Sequence, residues 1–391
     1  MRAPATLALA FALIGAPAAA EPAGPPLSSL TLVGPPTTLF RAPRDACDGV
    51  DLPDAPLRAF RDAGGAVVAF GLHHRNRALR GPDLDRLKLD CAVVLESGHK
   101  ADPALYDDRS WITATWTEDG RAVAALLHHE YHADAHPGRC RAQSLMACWY
   151  NTVTAAASRD GGRSFVRADP PAVVAAPPFT QDVGQTRHRG FFNPSNILGD
   201  GRWRYALIAT TGWERPGSDQ AAGVCLFRSD DPADPRRWRA WTGTGFTAAF
   251  PDPYRSKAKR ADTCRPVGPF PGPVGAVVRH RGTGAYVAVF MAAAGGEFPQ
   301  SGFYWSSSRD LIAWDRPRLL LAGATLYDDP CAAKGELIAY PSLLDPAASG
   351  RNFDDAGERA LLTYATLRTE GCTVTAERDL VRRPVSIKVW P

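Results

Sequence analysis

The chain has 391 residues, with 45 Lys and Arg against 41 Asp and Glu, 45% hydrophobic residues and a net charge of +4. So small a charge, with no long basic block, argues against a nucleic-acid partner. The 35 Gly and 34 Pro exceed the roughly 47 together that average usage would give, and many turns with an ordinary hydrophobic content predict a core of short strands.

In chain order, MRAPATLALAFALIGAPAAA reads as a cleaved secretory signal over residues 1–20, with Arg2, a short apolar run and the small residues Ala18 to Ala20. The run is too short and too interrupted by Pro for a good membrane span, and no later stretch is apolar for long enough to cross a bilayer. An exported protein, periplasmic or extracellular, is expected, without membrane insertion. Residues 21–50 form an N-terminal segment in which LTLVGPPTTLF can add a strand that closes the fold, and 51–391 form a single domain. All eight cysteines lie beyond the signal and none has zinc-knuckle or C-x-x-C spacing, so disulfides are expected. Cys140 and Cys148 can staple one loop. Cys225, in AGVCLF, fits either a disulfide or a buried free thiol.

A repeat organises the rest. SRDGGRSF, Ser158 to Phe165, suits a tight hairpin in which Asp160 accepts from its own turn. Relatives follow at RSDDPADPRRW and SSSRDLIAW, with weaker echoes at GPDLDRL and ERDLVRR. Asp83, Asp160, Asp231, Asp310 and Asp379 are 77, 71, 79 and 69 residues apart. Each unit also has a Gly turn between apolar runs, at Gly65, Gly120, Gly201, Gly284 and Gly357. Each unit therefore reads strand, Gly hairpin, strand, connection, strand, Asp turn, strand. Four antiparallel strands cannot cover both sheet faces alone, but stacked radially they can. The predicted fold is all-β, a five-bladed β-propeller of four-stranded antiparallel blades; a sandwich or a two-domain β arrangement is the alternative.

SRDGGRSF resembles the Asp box of sialidases and related propellers. SSSRDLIAW resembles the Ser-x-Asp-Leu-x-x-Trp turn of the five-bladed arabinanase, xylosidase, invertase and levansucrase group. The resemblance covers the blade scaffold and implies a site where the innermost strands converge, with one carboxylate at the start of the first blade. Asp54, in LPDAPLRAF, occupies a comparable place and would be a base or nucleophile. Elsewhere the chain departs from the pattern: the third blade opens with FFNPSNILG, which supplies Asn193 and Asn196, and the fourth with CRPVGPFPGPVG, which supplies Arg265. What the resemblance implies is an architecture and a habit of binding sugars.

The densest polar stretch is LLHHEYHADAHPGRC, Leu126 to Cys140. His128, His132 and His136 would share a face on a helix and invite zinc, but the preceding alternation and the following Pro-Gly indicate a strand entering a loop, so no metal or other cofactor is expected. Glycoside hydrolysis needs two carboxyl groups, one protonated and one ionised. Glu130 is the candidate acid or base, with Asp54 or Asp108 as partner and His129 or His132 tuning it and binding hydroxyls; Asp107 and Glu336 complete the pool. Trp111, Asn151, Asn193, Asn196 and Tyr340 are candidate sugar contacts. Arg265, with Arg187 and Arg189, could clasp an acidic group on a sugar, because guanidinium matches carboxylate and sulfate bidentately. The expected partner is an oligo- or polysaccharide and the expected state a monomer. A propeller that binds a glycan or a protein without turnover is the competing reading.

Overall fold

Strands in consecutive antiparallel runs make up nearly all the regular structure of the computed structural model. It describes residues 27–142, 144–168, 173–181, 187–215, 217–256, 261–333 and 335–390; the signal expected at 1–20 lies outside them. The first run is Arg58–Arg61, Val67–Phe70, Asn76–Gly81 and Lys88–Leu95. Arg109–Trp116, Val123–His132 and Trp149–Ser158 form the next, edged by the short strands Val166–Arg167 and Val173–Ala175. Arg189–Phe192 begins a third, continued by Trp203–Thr210, Gly223–Ser229, Arg239–Trp241 and Phe246–Ala248. Val274–His280, Tyr286–Ala292, Gly302–Ser308 and Arg318–Ala322 follow. In the last run, Glu336–Leu344 pairs with Arg359–Glu370 and that strand with Thr373–Val389. Its outer partners, Ser28–Leu32 and Thr37–Ala42, come from the N-terminal segment.

Apolar clusters lie between successive runs. Phe60 and Val68 pack against Ile112 and Leu127, Leu126 and Val153 against Ile208 and Phe227, Leu226 and Ala209 against Val277 and Phe290, and Val287 and Phe303 against Leu362 and Val385. Leu57, Val67 and Ala69 then meet Phe40, Leu344 and Leu380, so the last run packs on the first. The runs are thus arranged radially and closed, as in a β-propeller. Inner strands are covered on both faces, which is why Val123–His132 is buried almost throughout. Each fully buried Phe or Leu contributes about 1.5–3 kcal/mol to this stacking.

Four of the expected Asp turns are present. Asp160 accepts from the Arg163 and Ser164 amides and from the Ser158 and Ser164 hydroxyls. Asp83, Asp231 and Asp310 likewise accept amides of their own turns. Asp379 does not: it lies inside the strand Thr373–Val389, opposite Thr366 and Arg41. The final hairpin turns instead at Gly371, at φ 59°, where a side chain would be strained.

The cysteines form the disulfides Cys47–Cys91, Cys140–Cys148, Cys225–Cys264 and Cys331–Cys372. The free-thiol alternative for Cys225 is therefore wrong. No helix among the described residues is long and apolar enough to cross a membrane.

Candidate active site

Segments from all five runs meet at one cavity of about 810 Å³, lined by Asp54, Trp111, Glu130, Asn193, Gly272 and Tyr340 among others. Its walls add Trp149, His188, Phe192 and Tyr327. Such a pocket, largely apolar with a few convergent polar groups, is the usual form of a small-ligand site.

The pleat of Val123–His132 decides which polar groups face it. Side chains alternate along a strand, so His128, Glu130 and His132 share one face and His129 and Tyr131 the other. His128 Nε2 lies 2.8 Å from Glu130 Oε1, and His132 Nε2 lies 2.6 Å from Oε2. The Asn193 amide donates to His128 Nδ1 at 3.2 Å, leaving Nε2 to carry the hydrogen that goes to Glu130. Asn193 holds that amide in place at φ 25°, a left-handed conformation that Asn tolerates better than most residues. Burial pushes the Glu130 carboxyl up, but hydrogen bonds from the two imidazoles outweigh it and hold the group at about 2. Glu130 is therefore a carboxylate at neutral pH.

Asp54 faces the same cavity from the segment before Arg58–Arg61. Its Oδ1 accepts from Arg378 at 2.6 Å and from the Tyr340 hydroxyl at 3.1 Å, and His73 Nε2 lies 3.7 Å from Oδ2. Tyr340 reaches it because the strand Glu336–Leu344 slips register between Ala339 and Ser342, and Tyr340 sits there at φ 57°. A bulge of this kind re-aims a side chain, at a cost of about 1–3 kcal/mol for a bulky residue with positive φ. Burial, and then the nearby Asp54, raise the Tyr340 phenol well above its ordinary value. Burial likewise lowers His188 to about 3, so it is neutral where it stacks on Trp149 at 3.9 Å.

Asp54, Trp111, Glu130, Asn193 and Tyr340 thus come together, with His132 behind Glu130. Asn151 is fully buried one step back, 2.8 Å from His188 Nε2. The other candidates lie elsewhere. Asp108 is buried away from the cavity, taking the His132 amide at 2.8 Å and facing His136 Nε2 at 3.2 Å. His129 points with it, accepting from the Asp108 amide and meeting Thr152 Oγ1, and burial takes it down to about 3. Asn196 is committed to both backbone groups of Val277 at 2.8 Å. Arg265 is exposed on the surface outside the lining. Asp107 holds the Gly98 amide, and Glu336 is exposed. Arg187 lines the cavity, but Arg189 lies over Phe179. His136 stacks on Tyr131, so the three histidines read as a possible zinc set divide between Glu130 and Asp108. Among the described residues no group of three or more His, Cys, Asp or Glu is placed to hold a metal ion.

Arg378, His73 and His188 escaped the sequence reading. Period-two alternation could have paired His128 rather than His129 with Glu130. Nothing local marks Arg378, which meets Asp54 across 324 residues.

No protein-family model and no curated protein matches the chain. Its structural neighbours include the arabinanase group that its Asp turns resemble. An α-L-arabinanase from Cellvibrio cellulosa has a TM-score of 0.46 and 12% identity, over 85% of this chain and 91% of that one. An α-L-arabinofuranosidase from Lactobacillus brevis has 0.48 and 10%, over 88% and 92%. A protein of unknown function from Dyadobacter fermentans has 0.49 and 11%, over 92% and 99%. These likenesses, each with a TM-score below 0.5, carry no argument about function.

Proposed function

We propose that this is an exported carbohydrate-active protein, a five-bladed propeller whose central cavity binds a sugar chain and hydrolyses a glycosidic bond. The observation that carries the reading is that Glu130 and Asp54 line one aromatic-walled cavity. Aromatic faces suit sugar rings, and Trp111, Trp149 and Tyr340 offer them there. Glu130, ionised at neutral pH, is the nucleophile or the base that activates water. Asp54 is the second carboxyl; it serves as the acid once substrate entry has displaced Arg378 and the freed carboxylate has taken up a proton from solvent, which it then gives to the leaving oxygen. Asp108 and His129 have no part in this chemistry. The four disulfides support export into an oxidising compartment, following a signal at 1–20.

The second reading, glycan binding without turnover, is favoured by one feature, the Asp54–Arg378 ion pair that occupies the second carboxyl. The test is binding and hydrolysis of a broad panel of oligosaccharides and aryl glycosides by the mature chain, with Glu130→Gln in parallel. Turnover that disappears in the variant while binding persists supports the hydrolase. Saturable binding without turnover in both proteins supports the second reading, and no binding to any sugar overturns both.

A further inference from the structure

Directly beneath the cavity, the same four chain segments that line it build a second layer around Arg58. Asp54, Trp111, Asn193 and Tyr340 face the cavity; a few residues further along each segment, Arg58, Thr113, Pro194 and Ser342 meet one another. Arg58 is 2% exposed. Its Nε donates to the Thr113 carbonyl at 2.6 Å, Nη2 to the Pro194 carbonyl at 3.2 Å and Nη1 to Ser342 Oγ at 3.3 Å. The Ser342 hydroxyl passes its own hydrogen to the Leu57 carbonyl at 2.8 Å.

Two features of this layer are unusual. A guanidinium carries five N–H donors, and these contacts engage three. No carboxylate among the described residues pairs with Arg58, and burial alone pulls it down to about 9. A buried cation without a counter-charge is costly, and carbonyl dipoles offset only part of the cost. Beside Arg58 lies a small cavity of about 10 Å³, also lined by Thr115, Asn196, Ser342 and Asn352. The two amides there are already bonded to backbone, Asn196 to Val277 and Asn352 to Thr117.

We propose that this cavity is a halide site, in which one chloride ion accepts the free N–H groups of Arg58 and neutralises it beneath the sugar-binding cavity. The cavity takes one sphere of about the size of water or slightly larger, which admits a monoatomic anion more readily than the bulkier sulfate, phosphate or carboxylate. A water molecule would fit but would leave the charge uncompensated. The ion is structural, linking Arg58 with the segments of four successive runs, and the inference stands whether or not the cavity above hydrolyses sugars.

The test is thermal unfolding of the mature, disulfide-bonded protein in sodium chloride against sodium gluconate at constant ionic strength, together with anomalous diffraction from crystals grown in bromide. A ligand that binds only the folded state raises Tm with its concentration, by about 2 °C per tenfold chloride for a chain of this size once the site is titrating. That rise in wild type, its loss in Arg58→Met, and a bromide peak next to the Arg58 guanidinium are the expected results. Equal Tm values in chloride and gluconate, a chloride effect that persists in Arg58→Met, or a light atom at that position in the bromide crystals would overturn it. Should Arg58→Met fail to fold, the wild-type salt series and the bromide crystals decide alone.

Discussion

Glu130 at the centre of the molecule and Asp160 at its rim reach the same acidity, each held near 2 against the opposing pull of burial, by different means. Asp160 does so within its own turn, through amides and hydroxyls no more than four residues away. Glu130 depends on two imidazoles, one of them oriented by an amide 65 positions distant. The rim carboxylate is sealed by local hydrogen bonds and serves the hairpin. The central one faces a cavity and leans, through His128, on a distant part of the chain, which suits chemistry.

The largest effect that would sharpen this contrast is on turnover. With a substrate from the sugar panel, Glu130→Gln should lower kcat about 10³-fold, while Asp160→Ala leaves kcat unchanged. Equal losses in the two variants would break the distinction between centre and rim. Next, His132→Ala removes one of the two donors to Glu130, so burial gains and the carboxyl rises. The acid limb of the kcat/KM profile should then move to higher pH by about one unit. A limb that stays in place would mean that Glu130 is not the group that must be ionised.

At the rim the expected effect is on stability. Asp160→Ala should destabilise the fold by about 1–2 kcal/mol at pH 7 in chemical denaturation, as its turn amides lose their acceptor. Folding lowers the Asp160 carboxyl from 3.8 to about 2, so its contribution is complete above 3.8 and is lost as pH falls through about 2. The gap between wild type and variant should therefore close on acidification, and a gap that does not change with pH would exclude the carboxylate as its cause. Smallest of all, Arg265→Ala should change neither sugar affinity nor stability by more than about 0.5 kcal/mol. A measurable loss of binding to acidic sugars would return Arg265 to the site.

Four Asp turns could be read in the chain because their hydrogen bonds close over two to four residues. Asp379 departs from the pattern for the complementary reason. ERDLVRR has the Asp, but its backbone is drawn into the longest strand of the fold and paired there on both sides. In LLHHEYH the residue types point to a site, but adjacency in sequence does not put His129 beside Glu130, because the pleat turns it to the other face with Asp108.

Residue spacing alone determined the all-β character, the repeat and the rim turns, because each rests on side chains hydrogen-bonding to nearby backbone or alternating along one strand. Only the closed tertiary structure decided the electrostatics of the centre. Arg378 meets Asp54, Asn193 meets His128, and Arg58 meets Ser342 across 324, 65 and 284 residues. No local pattern encodes such distances; they become hydrogen bonds when the last run packs on the first and the inner strands converge.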